Sequence, residues 1–343
     1  MDSPCHRGNK RHVNDRYGQM LHWLNRLLPV HTADITPAST DASFRRYYRI
    51  RRQDASHIVM DAPPDKENCE PFIVVAHALC ELGIQAPRVL EADLDQGFLL
   101  LTDLGTRQYL SVLNETCVER LYGDALVTLL RLQLGGDTSS PLLPLYTAES
   151  LQQEMELFRR WFLERHLSLP LEAADHAVLD NAFALLRQSA LEQPQVWVHR
   201  DYHSRNLMVT ELANPGVLDF QDAVIGPVTY DLVSLLRDCY IAWPRERVEG
   251  WALRYRTRLQ AEGLAGVEDA DAFLRWFDLM GVQRHLKAIG IFARLNHRDG
   301  KPGYLDDIPR TLGYVLEVTA RYAELAPLHG LLRTRVMPAL AGP

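Results

Sequence analysis

One short segment constrains this chain more than any other part of its sequence. Residues 199–206 read HRDYHSRN, and thirteen residues after the last of them the chain reads LDF, with Asp219 at the centre. A carboxylate at Asp201, an amide at Asn206 and a second carboxylate at Asp219 therefore follow one another in a fixed order. Each fragment alone is a weak signal, but the three at this close spacing point to one functional site.

The apolar residues around this segment predict how the chain folds there. Residues 196–198 form a short apolar run that predicts a buried strand. Residues 206–209 and 217–220 predict two further strands, joined by a turn that contains Asn-Pro-Gly. Because such a hairpin returns the chain to its starting point, we expect Asn206 and Asp219 to lie close together.

These residue types suit the transfer of a phosphoryl group. That reaction needs a metal ion to neutralise phosphate charge, a carboxylate to orient the attacking hydroxyl and accept its proton, and in-line positioning. Asp201 is the candidate base, and Asn206 and Asp219 offer the oxygen ligands that magnesium prefers. The order H-R-D-x-x-x-x-N followed by a metal-binding aspartate is the signature of kinases. The alternative, that the three residues only cap turns, does not explain why all three occur in this order and at this spacing.

Two more residues are expected to support this loop. We assign His199 to hydrogen bonding within the loop and not to catalysis. Asp231 begins the apolar stretch DLVSLL, where it is expected to be a helix N-cap. Its carboxylate is equally suited to accept hydrogen bonds from amides of the catalytic loop, and the two roles are compatible.

Composition and charge limit the classes of partner. The 343 residues carry a formal net charge of −7, which argues against a nucleic-acid or anionic-membrane partner. The five cysteines are odd in number and contain no CxxC pair, so a reducing cytoplasm is the expected location. No apolar run is long enough to span a bilayer. We expect a cytoplasmic monomer or weak oligomer that acts on a small molecule.

The pattern of apolar residues divides the chain into a β-rich and a helical part. Residues 1–104 are expected to form a small N-terminal nucleotide-binding lobe, of which 1–16 are disordered and 17–28 form a helix. Residues 105–343 are expected to form a large helical lobe that contains the catalytic hairpin and the acceptor site. Strands are predicted at 44–52, 57–60, 87–90 and 97–102, with a helix at 72–82. Long helices are predicted at 109–134, 148–167, 174–191, 230–241, 245–261, 271–292 and 309–325.

Two segments carry a resemblance to a known family. HRDYHSRNLM and VLDFQDAVIGPVTYDLVSLLRD resemble the aminoglycoside phosphotransferase/choline kinase branch of the kinase-like fold. Within that branch, the two segments are similar in sequence to the bacterial cell-wall-recycling kinases that phosphorylate the anomeric hydroxyl of N-acetylmuramate and N-acetylglucosamine. DASFRRYYRI, VMDAPPDKE and GFLLLTDLG add to the likeness, which covers roughly residues 20–325.

The resemblance implies an α+β, two-lobed protein-kinase-like fold with ATP and Mg²⁺ as cofactors. It implies Asp201 as the base, Asn206 and Asp219 as magnesium ligands, and Asp231 as a brace for the loop. The product would be a sugar 1-phosphate. Two alternatives stay open: phosphorylation of another small alcohol such as an aminoglycoside, choline or homoserine, and a pseudokinase that only binds its ligands.

The nucleotide site is expected in the N-terminal lobe. The third strand reads IVMD and lacks the lysine that protein kinases place there, which is the one feature that favours a pseudokinase. An arginine such as Arg45 is expected to replace it, although a solvated strand face is an equally good explanation for that residue. Ser43 and Phe44 belong to the expected phosphate loop, and adenine is expected at the backbone of Asp103 and Leu104.

The acceptor site is expected in the helical lobe. Arg284 and Lys287 lie three residues apart in a predicted helix, where they can bind a carboxylate or a carbonyl group. The alternative is that they form part of a solvent-facing stripe. A polycationic aminoglycoside would instead require carboxylates, for which Asp306 and Asp307 are the candidates.

Overall fold

The computed structural model describes residues 8–28, 31, 34–40, 44–52 and 55–341. The chain divides into two compact units. The first unit consists of Met1–Cys80 and Ala86–Gly105, and the second consists of Glu81–Gln85 and Thr106–Pro343.

The first unit is built on a five-stranded antiparallel sheet in the order β1-β2-β3-β5-β4. Val59 stands opposite both Tyr48 and Leu100, so the buried centre of β3 is flanked by its neighbours on both sides. The strands are β1 Ile35–Thr40, β2 Arg46–Arg52, β3 Ala55–Asp61, β4 Val89–Asp93 and β5 Phe98–Thr102.

Two helices belong to this unit, α1 Gly8–Leu27 and α2 Glu70–Glu81. Apolar residues of α1 pack on one face of the sheet, where the Trp23 and Phe98 ring centroids are 5.7 Å apart. Burial of such side chains contributes about 1.5–3 kcal/mol each. The buried residues of this cluster are Met20, Trp23, Leu24, Ile35, Ile50, Val59, Phe98 and Leu100.

The start of α1 corrects one prediction. The helix begins at Gly8, nine residues before the start at residue 17 that the sequence predicted, and residues 1–7 lie outside the described part of the chain. Arg16 provides the physical reason, because its Nε donates to the Asp61 carboxylate at 2.6 Å and its Nη2 donates to the Gln96 carbonyl at 2.7 Å. These contacts attach the N-terminal half of the helix to the sheet.

The second unit is mainly helical. Its longest helix, α9, has 30 residues and is about 45 Å long. The helices are α3 Tyr109–Val112, α4 Val118–Gly135, α5 Ala148–Leu157, α6 Ala173–Leu191, α7 Tyr230–Leu236, α8 Arg245–Ala261, α9 Ala270–Asp299, α10 Ile308–Thr319, α11 Ala326–Leu331 and α12 Met337–Ala341. Helix α5 continues as a π-helical segment, Phe158–His166.

Helix α9 runs through the core of this unit and has well-defined ends. The Asp269 carboxylate caps its start by accepting from the Asp271 and Ala272 amides, and Gly300 ends it in the left-handed conformation. At Gly290 the helix meets the end of α5 so closely that a Cβ atom would lie 2.3 Å from the Leu157 carbonyl carbon. A side chain at position 290 would therefore separate the two helices.

Two short strand pairs interrupt the helices. Strand β6 pairs with β9 and β7 pairs with β8, both antiparallel. The predicted catalytic hairpin is thus present, with shorter strands than the sequence suggested. The strands are β6 Gln195–Val198, β7 Leu207–Met208, β8 Gly216–Val217 and β9 Val224–Pro227.

Two predicted helices end earlier than expected because polar side chains bind the backbone. The predicted helix 109–134 is divided into α3 and α4, since the Asn114 side chain accepts hydrogen bonds from the Thr116 and Cys117 amides. The predicted helix 230–241 ends at Leu236, and the Asp238 carboxylate accepts from the Tyr240 amide just beyond it. In the described residues, no helix combines the length and apolar character needed to cross a membrane.

Candidate active site

The catalytic loop follows β6, and a buried carboxylate binds its backbone. Asp231 is fully buried in α7, and it accepts hydrogen bonds from the His199 amide at 2.6 Å and the Arg200 amide at 3.0 Å. Arg200 has a φ of +76°, a conformation that costs a non-glycine residue about 1–3 kcal/mol. The Asp231 carboxylate stabilises this turn, which is the geometry that a brace requires. The predicted N-cap role is wrong, because Asp231 is the second residue of α7, after the N-cap Thr229, and its carboxylate binds amides of the catalytic loop.

The three central residues of the sequence motif lie together. The Asn206 Nδ2 donates to the Asp201 carbonyl at 3.0 Å and to the Asp219 carboxylate at 3.3 Å. The Leu218 amide donates to the Asn206 carbonyl at 2.9 Å, which extends the β7–β8 pairing to this point. Asp219 itself has a φ of +63°. A strained backbone at such a position is typical of functional sites.

Asn206 and Asp219 are suited to hold magnesium. Both hydrogens of the Asn206 amide are used for Asp201 and Asp219, and no hydrogen bond within the described ranges uses its Oδ1. One amide oxygen and one carboxylate form a partial set of hard ligands, which magnesium normally completes with phosphate oxygens and water. In the residues that the structure describes, no group of three His, Cys, Asp or Glu side chains is arranged to hold a metal on its own.

The electrostatic surroundings keep Asp201 ionised. Burial by itself raises the pKa of the Asp201 carboxyl, but Lys287, His203 and Arg284 outweigh burial and lower it below its usual range. An ionised carboxylate is the form that a base must have when it accepts a proton. The motif's aspartate is therefore prepared for the role predicted from its position.

His199 has a structural position in this loop. Its side chain is 1% exposed, and its Nδ1 accepts from the Asp201 amide at 3.2 Å. Burial lowers the pKa of His199 to about 4, so the ring is neutral at physiological pH. A neutral ring that accepts from the backbone is suited to supporting the loop, and this role of His199 stays a prediction.

A buried cluster of charged and polar side chains contacts the catalytic loop, and it was not predicted from the sequence. The Glu154 carboxylate in α5 binds the Arg200 guanidinium, the Tyr146 hydroxyl and the Lys287 ammonium group, the last at 3.0 Å. Lys287 also donates to the Tyr230 hydroxyl at 2.9 Å. Burial raises the pKa of Glu154, but Lys287 and Arg200 outweigh burial and lower it. Nothing in the local pattern around position 154 distinguishes this glutamate from a surface residue.

Arg284 and Lys287 lie inside the second unit. Their exposed fractions are 5% and 8%, so the alternative of a solvent-facing stripe is wrong for both. Arg284 donates to the Cys239 sulfur at 3.7 Å, and both cations act on the Asp201 carboxylate. Their role as acceptor-binding residues stays a prediction, whereas their electrostatic effect on the proposed base follows directly from their positions.

A second buried carboxylate, Asp238, holds the far end of the loop. It is 1% exposed and accepts from the Ser204 amide at 2.9 Å. The sequence contains a signal that was not used: Asp231 and Asp238 lie seven residues apart at the two ends of an apolar run. An acidic residue in such a run is usually buried with hydrogen-bond partners.

In the first unit, the Glu67 side chain binds two residues of the predicted nucleotide site. Its carboxylate accepts from the Phe44 amide at 3.1 Å and pairs with Arg45 at 3.0 Å. Arg45 is thus not part of a solvated strand face, because its side chain is only 9% exposed. Ser43 lies outside the described residues.

The predicted adenine-binding segment has an anchored side chain. The Asp103 carboxylate accepts from Arg49 at 2.6 Å and from the Ser56 hydroxyl at 2.5 Å. Burial raises the pKa of Asp103, but the hydrogen bonds from Arg49 and Ser56 outweigh burial and lower it. Because this side chain is already bound, the backbone of Asp103 and Leu104 stays the predicted contact for adenine.

This chain is similar in sequence to several known proteins. The profile of the phosphotransferase enzyme family matches residues 34–277. The N-acetylmuramate/N-acetylglucosamine kinase of Pseudomonas putida is 49% identical over 304 residues, which cover 88% of each chain. The protein of the same name from Neisseria meningitidis is 44% identical over 319 residues, 92% of this chain and 94% of the relative.

Solved structures show the same fold at low sequence identity. An ADP-bound aminoglycoside phosphotransferase has a TM-score of 0.56 at 16% identity, covering 88% of this chain and 98% of its own. The choline kinase LicA of Streptococcus pneumoniae has a TM-score of 0.59 at 11% identity, with coverages of 89% and 99%. The predicted α+β, protein-kinase-like fold and the resemblance on which it rested are confirmed.

Proposed function

Because this chain belongs to the phosphotransferase enzyme family and is a kinase, we propose that it phosphorylates the C1 hydroxyl of N-acetylmuramate or N-acetylglucosamine. The donor is ATP with Mg²⁺, and the product is a sugar 1-phosphate. Such a product suits a following nucleotidyltransferase in the cytoplasmic recycling of peptidoglycan. The names of the relatives support the acceptor, and the catalytic hairpin supports the reaction.

The observation that carries the proposal is the arrangement of Asp201 beside Asn206 and Asp219. Asp201 orients the attacking hydroxyl and accepts its proton. A hemiacetal hydroxyl is more acidic than an ordinary alcohol, so the proton transfer can be late, in keeping with a loose transition state. The lowered pKa of Asp201 keeps the carboxylate ready for this step without prior loss of a proton.

Asn206 and Asp219 are the proposed magnesium ligands. Magnesium neutralises charge on the phosphate groups when it is bound there. Asp219 supplies the charged oxygen, and Asn206 supplies a neutral one while its amide hydrogens hold the Asp201 carbonyl and the Asp219 carboxylate. The two proposed ligands and the proposed base are thus connected through a single side chain.

The nucleotide contacts are proposed in the first unit. Arg45 supplies the cation for the phosphates in place of the absent lysine, and Glu67 orients it as an ion-pair partner. Ser43 and Phe44 contribute to the phosphate loop. The backbone of Asp103 and Leu104 binds adenine.

The proposal is tested by measuring ATP consumption with Mg²⁺ and a panel of acceptors: N-acetylmuramate, N-acetylglucosamine, kanamycin, choline and homoserine. Phosphorus NMR locates the new phosphate. A sugar 1-phosphate is the expected product. Turnover with another acceptor only would retain the kinase and overturn its substrate, and ATP binding without any turnover would favour a pseudokinase.

A variant tests the role of Asp201 in the same assay. Asp201→Asn should lower kcat by about 10²–10⁴-fold, the usual contribution of a general base. ATP affinity should persist, because no nucleotide contact is proposed for this side chain. Asp95→Asn, in an exposed turn of the first unit, is the control and should behave as the wild type. Near-normal turnover of the Asp201 variant would refute its assignment as the base.

A further inference from the structure

Arg205 has an unusual environment for a half-exposed arginine of the catalytic loop. Its guanidinium carbon lies 3.6 Å from the centroid of the Tyr240 ring and 5.6 Å from that of Tyr304. Contacts of a cation with ring faces hold the side chain in one orientation. The side chain is nevertheless 37% exposed, so solvent reaches part of the guanidinium.

The charge around Arg205 is only partly neutralised. Its Nη2 lies 3.8 Å from the Asp307 carboxylate, which is an ion pair but is beyond hydrogen-bond distance. Arg310 takes the better contact with Asp307, donating to it at 2.8 Å, and also donates to the Cys239 carbonyl at 2.7 Å. Two guanidinium groups thus share one carboxylate, and these three side chains together carry one unbalanced positive charge.

The hydrogen-bonding capacity of Arg205 is also unused. Within the part of the chain that the structure describes, its guanidinium makes no hydrogen bond, although it has five N–H donors. A planar guanidinium that is stacked on a ring presents these donors at its edge, where a carboxylate can bind with two parallel hydrogen bonds. The site has the charge, the rigidity and the donors that an anion requires.

The cluster lies beside the proposed reaction centre. Arg205 directly precedes Asn206 and follows the proposed base, Asp201, by four residues. His203, between them, packs its ring edge-on against Tyr240 with centroids 5.3 Å apart. The His203 amide donates to the Asp201 carbonyl at 3.0 Å and the Asn206 amide donates to the His203 carbonyl at 2.9 Å, so a tight turn connects Asp201 with Arg205.

We propose that Arg205, assisted by Arg310, binds the carboxylate of the lactyl ether of N-acetylmuramate and so determines how well the anionic sugar competes with the neutral one. This inference rests on the proposed function. N-acetylglucosamine has a hydroxyl group in place of the lactyl ether, so it cannot use this ion pair. The engagement of Asp307 by both arginines also disfavours a polycationic acceptor at this position.

The test compares kcat and KM for the two sugars in Arg205→Gln. The variant should lose about 10- to 100-fold more kcat/KM with N-acetylmuramate than with N-acetylglucosamine, the range expected for a hydrogen bond to a charged group. The difference should appear mainly in KM. Arg310→Gln should also lose more kcat/KM with N-acetylmuramate than with N-acetylglucosamine, but by a smaller factor. Arg205→Lys should lose less kcat/KM with N-acetylmuramate than Arg205→Gln does.

Arg275→Gln is a matched control. Arg275 is 35% exposed, lies 5.1 Å from the Tyr322 ring centroid and pairs with Glu324 at 3.0 Å, so it has the same kinds of contact. Within the described residues, Arg275 contacts Glu324 and Tyr322, and neither belongs to the catalytic loop. Its replacement should leave the ratio between the two sugars unchanged.

A second measurement needs no variant. The methyl ester of N-acetylmuramate lacks the negative charge and adds one methyl group, and its KM with the wild-type protein should be raised toward that of N-acetylglucosamine. Equal losses for both sugars in Arg205→Gln, or an unchanged KM for the ester, would overturn the inference while leaving the proposed function intact. Absence of turnover with both sugars in the wild type would overturn the two together.

Discussion

The cluster around Glu154 predicts a large loss of stability from a change of one atom. In Glu154→Gln the side chain keeps its size but loses its charge. Arg200 and Lys287 then remain in a buried space without the carboxylate that both of them contact. The side chains of Glu154 and Lys287 are only 11% and 10% exposed, so water cannot replace the missing charge.

The magnitude follows from charge pairing and burial. At an effective dielectric constant of about 20, a cation and a carboxylate in contact attract by about 4 kcal/mol. Removing the carboxylate also removes its own desolvation penalty, which is several kcal/mol. Breaking a buried pair on one side therefore has a net cost of about 3–5 kcal/mol, and we expect the free energy of unfolding to fall by this amount.

The assay is urea unfolding of Glu154→Gln, Lys287→Met and the double variant. The double variant should lose about 1–3 kcal/mol less than the two single losses together, because removal of both partners leaves fewer unpaired charges. Glu149→Gln is the control in the same helix. Glu149 is exposed and accepts from the Gln153 side chain at 3.1 Å, so the loss of its charge in the first helical turn should cost at most about 1 kcal/mol. Losses that add within about 0.5 kcal/mol would refute the coupling.

The remaining predictions concern the proposed metal ligand and the pH dependence. Asp219→Asn should raise the Mg²⁺ concentration for half-maximal activity at least about tenfold, since the charged ligand is lost; an unchanged magnesium titration would remove Asp219 from the site. Lys287→Met should move the acid limb of the kcat/KM profile to higher pH. The lysine lowers the pKa of Asp201, so without it the base becomes protonated earlier as the pH falls. A profile that keeps its position would show that Lys287 does not act on the base.

The sequence was most informative where the site is local in the chain. Asn206 and Asp219 are brought together by a short hairpin, so their spacing and the turn between them were sufficient to predict their proximity. The position of Asp231 at the start of an apolar stretch indicated an N-cap, which is wrong; its bonds to the catalytic loop were only the alternative interpretation, which the family resemblance supported. Short-range geometry is encoded in a few consecutive residues.

The rest of the site depends on contacts between distant segments. Glu154 and Lys287 lie 133 positions apart, in α5 and α9, and their helical patterns give no indication of a shared partner. The apolar recurrence in α9 located a helix, but it did not reveal that its cations are buried, since burial depends on which helices surround it. The contact of Arg205 with the Tyr240 ring could likewise not be predicted, because Tyr240 belongs to a segment that was predicted to be helical.

Helix α7 has a consequence for how this protein can change during evolution. All seven of its residues are buried, and Asp231 within it and Asp238 just after it hold the two ends of the catalytic loop. The loop is thus anchored to the part of the molecule that is least tolerant of substitution. Arg205 and Arg310 are half-exposed at its edge, where substitutions usually have small effects on folding. New acceptor preferences can therefore arise at this edge while the chemistry is inherited unchanged.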